Sequence, residues 1–419
     1  MTRIRCGLAL SVATLLGAYA AYAQGVPPKP SAPPPATMAP AAAAKAANAN
    51  LARVTATSPS AFARPRETLA ISGVEIAKLV PGFELKKALV VDTGGRPVLS
   101  QLVDMNGDDE PDELVFQADL APHESKQFYV RAGERHHAAA ADYKVYGRFV
   151  RERHDDFVWE NDLVAHRMYG PDLETWAKDP LVSSGIDAWA KRSTKLLVNE
   201  WYMTDDYHSD NGDGADFYAV GKSRGCGGLG VWTGGKLHNS RNFTRSRVLA
   251  NGPIRLVFEL SYAPWQVSNG VRVSETKRVV LDAGSPFNAF ESSFSGAKGA
   301  LSIGIGIAKH PGGTVQIDAS QGSMRTWEPV KDNKAKASGN LGCAIVLSPG
   351  ATLEAQTADL DYLAITPTDA AGHIKYSVGS AWDRAGRIRD AEAWSKTVES
   401  AAAKLSAPLE LVVGPAASK

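Results

Sequence analysis

Cysteine is scarce in this chain of 419 residues: only Cys6, Cys226 and Cys343 occur, and no C-x-x-C or Cys/His pattern accompanies them. That excludes a zinc module and a disulfide-dense scaffold. Charge of one sign is lacking too. The formal net charge is +1, so nothing in the balance points to nucleic acid or a bulk electrostatic partner. Long apolar runs are missing beyond the first two dozen residues, which leaves no integral membrane span in the mature chain. The one apolar run, "GLALSVATLLGAYAAYA", follows Arg3 and Arg5 and ends in Ala21-Tyr22-Ala23. A basic start, a short apolar core and a small-x-small site predict a secretory signal peptide over residues 1–23. The expected location is the periplasm or the medium of a bacterium.

Residues 24–64 are rich in Pro and Ala and contain no aromatic side chain until Phe62. Such a segment cannot bury a core and reads as a semi-extended tether. About 350 residues remain for the folded part, with 65–415 expected as one β-sandwich domain; 65–133 is either its opening strands or a separate β unit. Cys226 and Cys343 stay after cleavage. Export permits them to pair, and two buried thiols are the other reading.

Helical periodicity is confined to the end, where Ala391, Trp394, Val398, Ala401 and Leu405 form a stripe. Elsewhere the period is two. "GPIRLVFELSYAPW" sets Ile254, Leu256, Phe258, Leu260 and Tyr262 on one face, and "ALSIGIGIAKH" repeats this with Leu301, Ile303, Ile305 and Ile307. "VRVSETKRVVLDAG" and "PFNAFESSFSG" read as two strands joined across Asp282-Ala283-Gly284. Turn residues interrupt these runs at short intervals, as in sandwiches and barrels. The fold class expected is all-β, a large antiparallel sandwich with one C-terminal helix.

Three stretches carry candidate chemistry. "DMNGDDEPDEL" places Asp104, Asn106, Asp108 and Asp112 at alternating loop positions that suit calcium. Asp109 stands where the usual calcium loop has glycine, and no glutamate follows at the twelfth position, so a solvated hairpin competes with a structural calcium. In "DDFVWENDLVAHRMYGP" the strand alternation puts His166 and Met168 on one face, Arg167 and Tyr169 on the other. His166 is a base candidate or a hydrogen-bonded core histidine. The third stretch, "YHSDNGDGADFYAVGKSRGCGG", packs His208, Tyr207, Tyr218, Lys222, Arg224 and the carboxylates Asp210, Asp213 and Asp216 between six glycines. Glycine lets backbone approach a ligand closely, and long functional loops on rigid scaffolds are where sites live. Arg241, Arg245 and Arg247 follow on odd positions, matching a carboxylate or sulfate. Trp159, Trp176, Trp189, Trp201, Trp232 and Trp265 offer stacking surfaces, with burial the competing fate.

The strings "DDFVWENDLVAHRMYGPDLE", "SGIDAWAKRS", "DYHSDNGDGADFYAVGKSRGCGGLGVW", "SRNFTRSRVLANGPIRLVFELSY" and "ETKRVVLDAGSPFNAFES" resemble the family called domain of unknown function 4861, from about residue 66 to 414. The resemblance implies an exported bacterial protein, of a kind often encoded beside polysaccharide-degrading enzymes. Its last strings are also similar to the galactose-mutarotase-type supersandwich of many polysaccharide lyases, which implies a cleft on an open sheet face.

Within that setting the residue types favour β-elimination on a uronic-acid-containing oligosaccharide or polysaccharide, by a lyase or a dehydratase. Elimination needs a base for the C5 proton, a cation for the adjacent carboxylate and an acid for the departing oxygen. His208, Tyr218, Tyr207, Arg224 and His166 are the catalytic candidates. Lys222, Asp216, Trp201, Arg241, Arg245 and Trp159 are the substrate-binding candidates. No cofactor is required. Two alternatives stand: hydrolysis by a carboxylate pair, Asp205 or Asp206 with Asp216 or Glu160, and non-catalytic carbohydrate binding through tryptophan.

Overall fold

A computed structural model describes residues 50–416 except His136 and Asp205; the signal peptide and most of the Pro/Ala-rich segment lie outside the described residues. The strands pair antiparallel throughout the sheets, and no described helix is long and apolar enough to cross a membrane.

The first β unit is a small sandwich. One sheet runs in the order Glu410–Pro415, Asn50–Thr57, Ser125–Ala132, Ala88–Asp92, Pro97–Val98; the other is Arg64–Ser72, Glu113–Leu120, Ser100–Val103. Two features depart from the sequence reading. Asn50–Thr57 is a strand inside the segment read as tether, because Ala52, Val54 and Ala56 alternate inward at period two and are fully buried. Alanine satisfies a low-complexity composition and a tight sandwich interior equally well. The chain's last strand also returns to this unit, with Thr55 opposite Val412, so the unit is closed by both ends of the described chain.

The main body is a larger sandwich, as expected. Its eight-stranded sheet runs Arg245–Asn251, Arg255–Ser268, Val271–Asp282, Phe287–Ser295, His373–Trp382, Ala337–Leu347, Ser323–Lys331, Thr314–Asp318. Two five-stranded sheets complete it: one centred on Cys226–Thr233 and Ser302–Ala308, the other on Asp156–Asn161, Ala165–Met168 and Asp187–Lys191. The alternation read in the sequence is realised: Ile254, Leu256, Phe258, Leu260 and Tyr262 are all buried, as are Ile303, Ile305 and Ile307. Removing such apolar area from water is the main favourable term in folding. The "DAG" turn joins the strands as expected, with Leu281 opposite Asn288.

Helix Ala391–Ser406 starts at Asp390, whose side chain accepts the Ala393 N–H at 2.8 Å and satisfies one otherwise orphaned donor. Its stripe buries Trp394 and Val398 against Ala344 and Val346 of the large sheet. Two short helices, Gly73–Leu79 and Val198–Tyr202, were not expected. Cys226 and Cys343 form a disulfide, with Cα atoms 5.5 Å apart and a sequence separation of 117. It ties two facing sheets together.

Candidate active site

A cleft of about 670 Å3 opens at one end of the sheet Asp156–Asn161, Ala165–Met168, Asp187–Lys191. Ala165–Met168 is buried at every position, and successive side chains of a strand point to opposite faces. Arg167 therefore turns to the cleft, and His166 turns the opposite way into the core.

Arg167 organises the site. Its Nε and Nη2 donate to Asp187 Oδ2 at 3.0 and 2.6 Å, Nη2 also to Asp216 Oδ2 at 2.9 Å, and Nη1 to the Tyr207 hydroxyl at 3.1 Å. Asp156 Oδ2 is 3.8 Å from Nη1. The rings of Tyr169, Trp189 and Tyr207 pack around the guanidinium. Burial opposes its charge, and the carboxylates of Asp187 and Asp216 more than offset that, so its pKa stands well above the ordinary arginine value. The acids shift too. Burial raises Asp156 to about 7, against the opposing pull of Arg167 and of the Gly170 N–H. Burial, then the charge of Asp187, raises Asp216 strongly. Shifts of this kind by desolvation and like charge are a mark of functional sites.

His208 lies on the cleft with its side chain 45% exposed. Its Nδ1 is 3.0 Å from the Asp216 carbonyl oxygen, with Asp216 Oδ2 at 3.5 Å. A carbonyl oxygen only accepts, so Nδ1 carries the proton and neutral His208 has its lone pair on Nε2. The loop that bears it is latched at two places. Asn333, from the hairpin after Ser323–Lys331, donates to Asp206 at 2.8 Å and accepts from Ser209 at 3.1 Å. Arg192 donates to Asp210 at 2.7 Å. Gly214 is required here: at φ 115° its Cβ would meet the Ala190 carbonyl oxygen at 2.0 Å.

Arg153 is the second cation of the cleft. It lies 4.4 Å from the Tyr207 ring centroid, its charge acts on Asp156, and among the described residues it makes no ion pair within 4 Å. Its turn passes so close to Gly170 that a Cβ there would sit 1.8 Å from the Asp155 carbonyl oxygen. Also on the cleft, the Trp176 ring packs at a tilt against His154, with centroids 4.4 Å apart.

The other sequence candidates fall in several places. Tyr207 and Tyr218 line the cleft, but the Tyr218 hydroxyl is buried without a hydrogen-bond partner and burial holds its pKa well up. His166 stacks on Trp159, is fully buried, and has its pKa pushed down to about 3 by burial. It is a neutral core histidine away from the cleft, and Trp159 is core with it. Arg224 is also internal: its amide donates to Asp361, its Nη1 to Ser184, and burial lowers its pKa to about 10. Trp201 packs on Trp189 in an aromatic cluster. Lys222 and Arg245 are exposed and do not line the cleft. Arg241 pairs with Glu174 on the surface. Of the hydrolase candidates, Glu160 is buried against Lys191 at 2.5 Å, Asp206 is held by Ser209 and Asn333, and Asp205 lies outside the described residues.

The loop with Asp104, Asn106, Asp108 and Asp112 belongs to the small sandwich. Its oxygens accept the loop's own amides: Asp104 from Asn106 and Asp109, Asn106 from Asp108, Asp112 from Met105. Asp109 takes the left-handed turn itself, at φ 70°. Among the described residues no group of three or more acidic, His or Cys side chains is gathered as a metal site.

Sequence reasoning therefore missed Arg153, Asp156, Asp187 and the role of Arg167. A signal was present for two of them: Asp187 and Arg167 each interrupt a run too apolar to lie on the surface.

A family model described as "Domain of unknown function (DUF4861)" matches residues 56–411. The chain belongs to that family. A curated relative of this DUF4861 chain, "Uncharacterized protein P7" of Formosa agariphila, is 33% identical over 365 residues, covering 84% of this chain and 90% of its own length. Two solved structures from Enterococcus faecalis are also similar. A protein in the glycosyl hydrolase family 38 is 12% identical with a TM-score of 0.41, over 86% of this chain and 47% of its own. An alpha-mannosidase is 10% identical with a TM-score of 0.46, over 87% of this chain and 46% of its own. The chain spans about half the length of the solved structures it matches.

Proposed function

We propose that this DUF4861 chain is an exported carbohydrate-active enzyme that performs β-elimination on uronic-acid-containing oligosaccharides, as a lyase or a dehydratase. The observation that carries the reading is the presence, in one cleft, of an anchored imidazole and a guanidinium that makes no ion pair among the described residues. His208 presents Nε2 as base because Nδ1 is committed to the Asp216 carbonyl. Among the described residues Arg153 makes no ion pair, its charge being felt by Asp156 only from a distance, so a substrate carboxylate can pair with it through forked hydrogen bonds. Neutralising that carboxylate acidifies the neighbouring C–H, which His208 then deprotonates. Arg153 thus replaces Arg224 and Lys222 in the neutralising role.

Absorbance of a new conjugated double bond, followed with mass spectrometry on a panel of uronate-containing oligosaccharides, tests the reading. Wild type gives a rising signal, with chain cleavage for a lyase or loss of water alone for a dehydratase. His208→Ala abolishes it while the fold, measured by circular dichroism, persists. Shorter products without absorbance would sink elimination and favour hydrolysis, a second reading supported by the two carboxyls Asp156 and Asp216 on the cleft.

A further inference from the structure

Elimination also needs a proton for the departing oxygen, and resting on the elimination reading, the geometry points to Asp156 as its donor: a carboxylic acid held neutral on the cleft wall. Three carboxyls, Asp156, Asp187 and Asp216, converge on the single guanidinium of Arg167, and all three side chains are almost wholly buried. Fully ionised, the three would outnumber the cations beside them, Arg167 and, acting on Asp156 from farther off, the half-buried Arg153, and would leave at least one negative charge uncompensated out of water. Such charges are expelled by proton uptake instead.

The donors decide where the proton sits. Asp187 Oδ2 accepts three N–H groups, two from Arg167 and one from Trp189 Nε1 at 3.1 Å. Asp216 Oδ2 accepts from Arg167 at 2.9 Å and has His208 Nδ1 at 3.5 Å. Asp156 has the poorest set: Oδ1 accepts the Gly170 N–H at 3.0 Å, and Oδ2 has only Arg167 at 3.8 Å, beyond hydrogen-bond reach. Two oxygens have room for a proton, Asp187 Oδ1, which is buried with no hydrogen-bond partner, and Asp156 Oδ2; only Asp156 lines the cleft and can hand a proton to a substrate. Burial raises both Asp156 and Asp216, but Asp216 Oδ2 accepts an Arg167 N–H at 2.9 Å and Asp156 Oδ2 accepts none within hydrogen-bond reach.

The step balances. His208 Nε2 takes the C5 proton, and the C5–H electron pair becomes the C4=C5 bond. The C4–O bond breaks and its electron pair stays on oxygen, which takes the proton from Asp156 Oδ2. Asp156 is left as a carboxylate that regains a proton from water, and imidazolium His208 returns its own. Neither an oxidant nor a second reactant is consumed.

A pair of substrates isolates the role: a uronoside with a sugar or hydroxyl at C4, and its 4-deoxy-4-fluoro analogue, whose fluoride leaves with little need of a proton. Asp156→Asn keeps the acceptor for the Gly170 N–H and removes the acid. The expected loss in kcat is about 10²–10⁴-fold on the oxygen leaving group and less than about tenfold on fluoride. In wild type, kcat falls on the alkaline side with the oxygen leaving group and shows no such limb with fluoride. The wild-type comparison stands even where the variant folds poorly. Equal losses on both substrates, an alkaline limb that persists on fluoride, or the leaving-group pattern appearing in Asp216→Asn instead would each overturn the assignment. Elimination of neither substrate by wild type would overturn the elimination reading itself, and the assignment with it.

Discussion

Replacing Asp156 by Asn changes how stability depends on pH, and the sign follows from burial. Wild-type Asp156 has its pKa raised from 3.8 to about 7 by burial, which outweighs Arg167 and the Gly170 N–H. In the unfolded chain it titrates near the ordinary value. Below pH ~4 both states hold the proton and the residue has no pH-linked effect. Between about pH 4 and 7 the folded state binds more protons than the unfolded one, so unfolding free energy falls as pH rises. Above about 7 both states are ionised and the loss is complete. A carboxyl raised this far loses about 4 kcal/mol of stability across that window. Asp156→Asn cannot ionise, so relative to wild type it gains stability progressively from pH 4 to 7 and then levels off. Urea unfolding of both proteins at pH 4, 5, 6, 7 and 8, read by tryptophan fluorescence, measures the difference. Taking wild type minus variant removes the contributions of other groups that titrate alike in both. A difference that stays constant across this range would refute the account of a buried, proton-holding Asp156. Relative to wild type the variant is then more favoured at neutral pH than at pH 4, and it is the poorer enzyme, the trade expected where a site stores charge out of water.

His310 donates from both nitrogens, to Glu328 at 2.8 Å and the Ala219 carbonyl at 2.7 Å; burial opposes its charge, but Glu328 raises its pKa. Its stabilisation is full below the unfolded value near 6.5 and is lost as pH rises through the higher folded value, so His310→Gln flattens that part of the stability profile measured by urea unfolding. Reducing and alkylating Cys226 and Cys343, which lie 117 residues apart in sequence, releases a long closed loop and lowers unfolding free energy by about 2–5 kcal/mol; an unchanged melting temperature would count against the bond. Asn333→Ala frees the His208 loop from Asp206 and Ser209 and lowers kcat about tenfold, near one hydrogen bond's worth, while a rise in KM alone would show that the latch does not position the base.

The amino-acid order alone determined the things that depend on local pattern. Period two in Ile254–Tyr262 and Leu301–Ile307 specified strands with one apolar face, and the stripe from Ala391 to Leu405 specified the helix, because side-chain direction repeats with backbone geometry. The glycine-rich stretch after Tyr207 was legible as a loop of close backbone approach, and Tyr207, His208, Asp216 and Tyr218 do line the cleft. Tertiary structure decided which charges meet. Alternation puts His166 and Arg167 on opposite faces, yet nothing in the string says which face is core; packing on Trp159 settled that for His166. Arg224 sits in the same stretch as His208 and is buried elsewhere, while Arg153, 55 residues before His208 in sequence, shares its cleft. The acids around Arg167 arrive from Asp156–Asn161, Asp187–Lys191 and the segment beside Gly214–Ala215. Charge–charge interaction depends on distance and on the exclusion of water, and both are properties of the assembled sheets rather than of neighbouring residues in the chain.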